Sequence, residues 1–194
     1  MNKELSFPLA SAAAPAVWLR IGAIVLLGSA FAAVCARVSV PLYFTPVPLS
    51  LAPLAVLLLG LLLTPRLAAA TFVAYLAEGA LGLPVFAPTP LVSGLAHLFG
   101  PTGGYLLAYP LAAALIAILY RRIGRGFTAA ALCAAAGSLV ILACGALWLA
   151  VLTHASIQSA FMLAALPFLP GDVLKIVTAA ALATGFRRLR HRSA

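Results

Sequence analysis

Apolar residues come in long, almost unbroken runs along this chain, with neither the alternation of a half-buried strand nor the polar stripe of a soluble amphipathic helix. The runs cover Trp18 to Val38, Leu49 to Leu63, Leu67 to Gly82, Tyr105 to Tyr120, Ala129 to Leu152 and Val173 to Phe186. Crossing the hydrocarbon core of a bilayer takes about 20 such residues per helix, so the pattern predicts an all-α integral membrane protein, a bundle of six transmembrane helices. The expected organisation is a short N-terminal segment (1–17), a transmembrane domain (18–186) and a C-terminal tail (187–194).

Composition removes the soluble alternatives. With 65% hydrophobic and only 8% charged residues in 194, lipid must be the solvent, and little chain remains for a soluble domain. The run from Ile21 to Ala36 could pass for a secretion signal ending at a lipid-modified Cys35. Val34 is larger than that motif tolerates and Asn2 to Glu4 make a poor signal start, so it reads as a retained first helix. Cys35, Cys133 and Cys144 stand singly in apolar runs and suggest packing, with no disulfide or metal site.

The net charge of +9 raises nucleic-acid binding, and the positions of the basic residues answer it. Lys3, Arg20, Arg66, Arg121, Arg122, Arg125, Arg187, Arg188, Arg190 and Arg192 fall on one side of a six-span chain; Arg37 and Lys175 fall toward the other. Ten against two is a positive-inside pattern, which predicts cytoplasmic termini and a membrane-flanking basic tail, and no nucleic-acid partner.

That orientation leaves three outer connections: PLYFTPVP (Pro41 to Pro48), GLPVFAPTPLVSGLAHLFGPTGG (Gly82 to Gly104) and a stretch ending PFLPGD (Pro167 to Asp172). All are rich in Pro or Gly, and mostly apolar. Several neighbouring helices are too short to cross the roughly 30 Å core alone. Non-helical backbone must therefore reach membrane depth, which is tolerated only around a cavity or inside protein. The outer half should contain a pocket.

Four charged residues map near it: Arg37, Glu78, Asp172 and Lys175. Asp172 and Lys175 stand at i and i+3 on one face of the last helix. A helix cap with a snorkelling lysine is one reading. A ligand contact is preferred, because Pro167, Pro170 and Gly171 aim this turn at the expected pocket. For Glu78 three readings stay open: pairing with Arg37, carrying a proton, or pointing into the pocket. His97 and His154 lack a second ligand at metal spacing and read as interfacial residues. Gly28, Ala32 and Ala36 recur every fourth residue on the first helix, a spacing that lets another helix approach closely, within the bundle or from a partner.

Enzyme signatures do not occur. There is no GxxxxGK[ST] loop, and Lys3 and Lys175 are the only lysines, so ATP hydrolysis by that route is excluded. HExxH and GxSxG do not occur either.

The segments VPLYFTPVPLSLAPLAVLLLG, YLAEGALGLPVFAP, LAHLFGPTGGYLLAYPLAAALI and PFLPGDVLK resemble, in order from about Val40 to Lys175, the BioY family, the biotin-specific S components of energy-coupling factor transporters. GLPVF and GPTGGY together are specific to it. The resemblance implies a plasma-membrane bundle that binds biotin from outside, needs no cofactor, and works with a transmembrane T component and two cytoplasmic ATPases. It implies that Asp172 and Lys175 contribute to biotin binding, and that the turn from Gly100 to Tyr105, with Gly103 and Tyr105, lies beside the pocket. It also implies that the small face of the first helix, Gly28, Ala32 and Ala36, docks the T component. Where many relatives read TLQT this chain reads SLAP, placing Ala52 at a glutamine position and Pro53 beside it; Arg37 is the candidate to compensate. A stand-alone biotin facilitator and a non-transporting scaffold are the alternatives to an energised subunit.

Overall fold

A computed structural model describes residues 15–88, 94–124 and 126–192. The expected Glu4 and Lys3 segment, Arg125 and part of the Gly82 to Gly104 connection lie outside the described residues. In order, the elements are α1 (Pro15–Arg37), β1 (Ser39–Val40), β2 (Leu49–Ser50), α2 (Ala52–Leu62), α3 (Pro65–Ala80), α4 (Ala96–Phe99), α5 (Gly103–Ile123), α6 (Phe127–Thr153), α7 (Ile157–Ala164), a 3-10 turn (Leu166–Phe168) and α8 (Leu169–Arg192).

Each long apolar run has become a helix, and local chemistry sets the limits. Thr64 caps α3 by accepting from the Leu67 amide at 3.3 Å, with Pro65 at the first helical position, where no N–H is needed. Pro53 sits in the first turn of α2 for the same reason. Three local expectations are refined. PLYFTPVP is the loop of a small antiparallel hairpin, Ser39 opposite Ser50 and Val40 opposite Leu49, a short addition to an otherwise helical fold. The connection ending PFLPGD is mostly helical: α7 and the 3-10 turn occupy it, and Pro170 and Gly171 lie in the first turn of α8. The basic residues expected as a separate tail continue α8 to Arg192.

Four stretches are long and apolar enough to cross a membrane: Pro15–Arg37, Gly103–Ile123, Phe127–Thr153 and Gln158–Leu189. At eleven residues, α2 reaches about 16 Å, well short of the hydrocarbon core. Large apolar side chains face outward, Leu27, Val34, Leu139, Val151 and Leu174 among them, as lipid contact requires.

Helices pack through small residues, the usual device where lipid supplies no hydrophobic drive between them. Ala179, Ala180 and Ala183 of α8 join Leu57 and Leu61 of α2, Ile116 and Tyr120 of α5 and Ala130 of α6 in one fully buried cluster. At that end Arg187 donates to the Leu61 carbonyl at 3.1 Å and lies 4.7 Å from the Tyr120 ring centroid. A second cluster, around Phe72, Tyr75, Tyr109 and Tyr105, fills the half beside the hairpin and borders the cavity.

Candidate ligand-binding site

The cavity opens where short helices hand over to irregular chain. Val47, Pro48 and Ser50 from the hairpin, Ala52 and Pro53 from α2, Phe86 and Ala87 from the segment after α3, and His97 and Thr102 form one side. Tyr75, Tyr105, Leu106, Tyr109, Ile141, Leu142, Phe168, Asp172 and Lys175 form the rest. Its walls are mostly apolar with a few polar groups, as those of small-molecule sites are.

The polar groups converge at the start of α8. Lys175 Nζ donates to Asp172 Oδ1 at 3.0 Å, and Ser138 of α6 donates to Oδ2 at 2.5 Å. Asp172 is 5% exposed and Lys175 6%. A buried ion pair adds little net stability, because desolvating both charges offsets their attraction. Its presence facing a cavity therefore points to ligand chemistry more than to folding. One of the three lysine N–H groups goes to Asp172, and both residues line the cavity.

The other expected site residues divide. Tyr105 lines the cavity; its hydroxyl donates to the Ala164 carbonyl and its ring lies over Gly145, where any Cβ would overlap it. Gly103 lies beneath the wall rather than in it. A Cβ there would stand 2.0 Å from the Leu98 carbonyl oxygen, so the residue lets α5 begin directly under α4. Trp148 fixes the same turn by donating to the Gly100 carbonyl at 2.9 Å.

Glu78 and Arg37 do not meet. The half-buried Glu78 accepts from the Ser29 hydroxyl of α1, while Arg37 donates to the Pro84 carbonyl at 2.6 Å. Among the described residues the salt bridge is that of Asp172 with Lys175. Neither Glu78 nor Arg37 is among the cavity-lining residues.

Gly28, Ala32 and Ala36 face inward. Ala32 is 1% exposed and Ala36 0%, and a Cβ on Gly28 would lie 2.7 Å from the Thr71 side chain of α3. The close approach that their size permits is made within the chain, at Gly28 to Thr71 of α3, so these three residues do not form an exposed face of α1.

Residues that sequence reasoning passed over are Ser138, Phe86, Tyr75, Tyr109 and Phe168. Ser138 carried a signal, as the one hydroxyl in the middle of an otherwise apolar α6. His97, read as interfacial, is buried against Phe86, ring centroids 5.2 Å apart, in the cavity wall.

A family model described as the BioY family matches residues 5–192. The chain belongs to the BioY family. A probable biotin transporter of the family from Pyrococcus horikoshii is 40% identical over 160 residues, 82% of this chain and 91% of that protein. The biotin transporter BioY of Thermotoga maritima is 34% identical over 161 residues, 83% of this chain and 92% of its own length. A crystal structure described as the S-component for biotin from an ECF-type ABC transporter superposes with a TM-score of 0.80 at 23% identity, covering 89% of this chain and 93% of that one, and shows the same fold. Together with its apolar helices, membership of BioY makes this a multi-pass membrane protein.

Proposed function

We propose that the chain captures biotin in the cavity at the start of α8 and delivers it across the plasma membrane as the substrate-binding subunit of an energy-coupling factor transporter. The observation that carries this reading is the buried Asp172–Lys175 pair, steadied by Ser138, facing a cavity walled by tyrosine and phenylalanine. Biotin offers an apolar fused ring and chain, a ureido group with two donors and one acceptor, and a carboxylate. Asp172 accepts ureido N–H groups, and Lys175 donates to the ureido oxygen or the carboxylate. The names of the relatives, biotin transporters, and of the matching fold support the ligand.

In this reading six helices span the membrane, both termini are cytoplasmic, and a T component with two ATPases supplies the energy that this chain has no motif to extract. The basic end of the bundle, with Arg66, Arg121, Arg122 and Arg187, is its cytoplasmic end. Tyr43, fully exposed in the hairpin loop, and Thr128, exposed at the start of α6, mark the two ends. In a cysteine-free background an impermeant reagent should label Tyr43→Cys in intact cells and spare Thr128→Cys; the reverse would overturn the orientation. Biotin should raise the apparent melting temperature of the purified chain, since a ligand specific for the native state stabilises it. Co-purification with ATPase subunits, and loss of uptake on their deletion, separates an energised subunit from a stand-alone facilitator.

A further inference from the structure

Three residues after the end of α3 the chain forms a short strap, Leu83 to Phe86, pinned at consecutive carbonyls. The Leu83 amide donates to the Glu78 carbonyl at 3.1 Å and the Val85 amide to the Leu83 carbonyl at 2.8 Å. Arg37, at the end of α1, donates to the Pro84 carbonyl at 2.6 Å. Tyr75 of α3 donates from its hydroxyl to the Val85 carbonyl at 3.1 Å. The next residue is Phe86, 6% exposed and part of the cavity wall. Its ring packs edge-on against Tyr75, centroids 5.3 Å apart, beside His97. It is seated on Gly79: a Cβ there would stand 2.0 Å from Phe86 Cζ.

Arg37 itself is exposed and outside the cavity wall, and its hydrogen-bonding partner is backbone. We propose that Arg37 acts on ligand binding as a positioning residue: with Tyr75 it hangs the Pro84–Phe86 strap and so fixes the Phe86 ring that walls the cavity, without touching the ligand. This rests on the reading of the cavity as the biotin site. The strap also explains why a cation suits position 37. A guanidinium reaches a carbonyl across an exposed gap with several fixed donors, and the charge strengthens a hydrogen bond to a neutral acceptor.

The ligand's own charge distinguishes this positioning role from a direct ion pair between Arg37 and the ligand. Affinities of biotin and of its neutral carboxamide are measured by calorimetry on purified wild type, Arg37→Gln, Arg37→Lys, Tyr75→Phe and Gly79→Ala. The strap predicts that Arg37→Gln weakens both ligands by the same factor, about fivefold for one hydrogen bond. Tyr75→Phe, which removes the second anchor, should do likewise. Arg37→Lys should recover part of the loss. Gly79→Ala, which suits a helix better than glycine yet displaces the Phe86 ring, should weaken both ligands at least as much while α3 stays folded by circular dichroism. Loss confined to biotin and absent with the carboxamide would make Arg37 a contact of the carboxylate and overturn the proposal. So would unchanged affinity in both Arg37→Gln and Gly79→Ala. If wild type binds no biotin, the functional reading itself has failed, and the strap as a determinant of that binding falls with it.

Discussion

At the end of the bundle beside the hairpin, the buried side chains include His97, Ser138, Asp172, Lys175 and three tyrosines, under a roof of proline-rich, non-helical chain. At the opposite end the buried cluster is leucine, isoleucine, one tyrosine, one cysteine and the alanines of α6 and α8. The same kinds of helix run through both. What differs is whether the space between them is filled. In the alanine half helices approach until nothing remains between them; in the other half α2 is too short and α3 gives way to irregular chain, so a cavity is left and polar groups gather at its wall.

The largest expected effect breaks the polar half. Asp172→Ala leaves Lys175 buried without its carboxylate, which should cost about 3 to 5 kcal/mol of stability. Combining Asp172→Leu with Lys175→Met should return most of that stability while abolishing binding, since a buried pair replaced by apolar groups is nearly neutral. Denaturant or thermal unfolding in detergent reads the first quantity and ligand titration the second. A double variant as unstable as the single would mean that the pair is structural.

A smaller effect tests the alanine half. Ala183 is fully buried, and Ala183→Leu should overpack the cluster by about 1 to 3 kcal/mol. Stability should fall while biotin affinity, measured below the lowered melting point, stays about the same. A large change in affinity would show that the two halves are coupled more tightly than their separate clusters imply.

The smallest concerns Ser138, which steadies one carboxylate oxygen. Ser138→Ala should weaken binding by about five- to tenfold, and have no further effect once Asp172 is Asn, because it acts through that carboxylate. Additive losses in the double variant would place Ser138 against the ligand instead.

The helices were legible in the sequence because hydrophobic runs report span and length directly. The Asp172–Lys175 pair was legible too: charges in an apolar run are rare, and i, i+3 spacing puts them on one face. The sequence could not say that Glu78 takes Ser29 and Arg37 takes Pro84, because both partnerships join residues nearly fifty positions apart and one partner is a backbone carbonyl. The inward face of Gly28, Ala32 and Ala36 was ambiguous for another reason. Small residues mark a close helix contact without saying which helix makes it, and at Gly28 it is α3. Pro53 proves to suit the first turn of α2 in the cavity wall.

The proposed function turns on one contact, the buried ammonium at the start of α8 against the ligand. Its most direct test is a calorimetric titration of biotin into purified wild type and Lys175→Met, with the fold of both checked by circular dichroism. The charge-assisted hydrogen bond is worth about 1.5 to 3 kcal/mol, so the variant should bind roughly ten- to hundredfold more weakly; equal affinities in two folded proteins would rule that contact out.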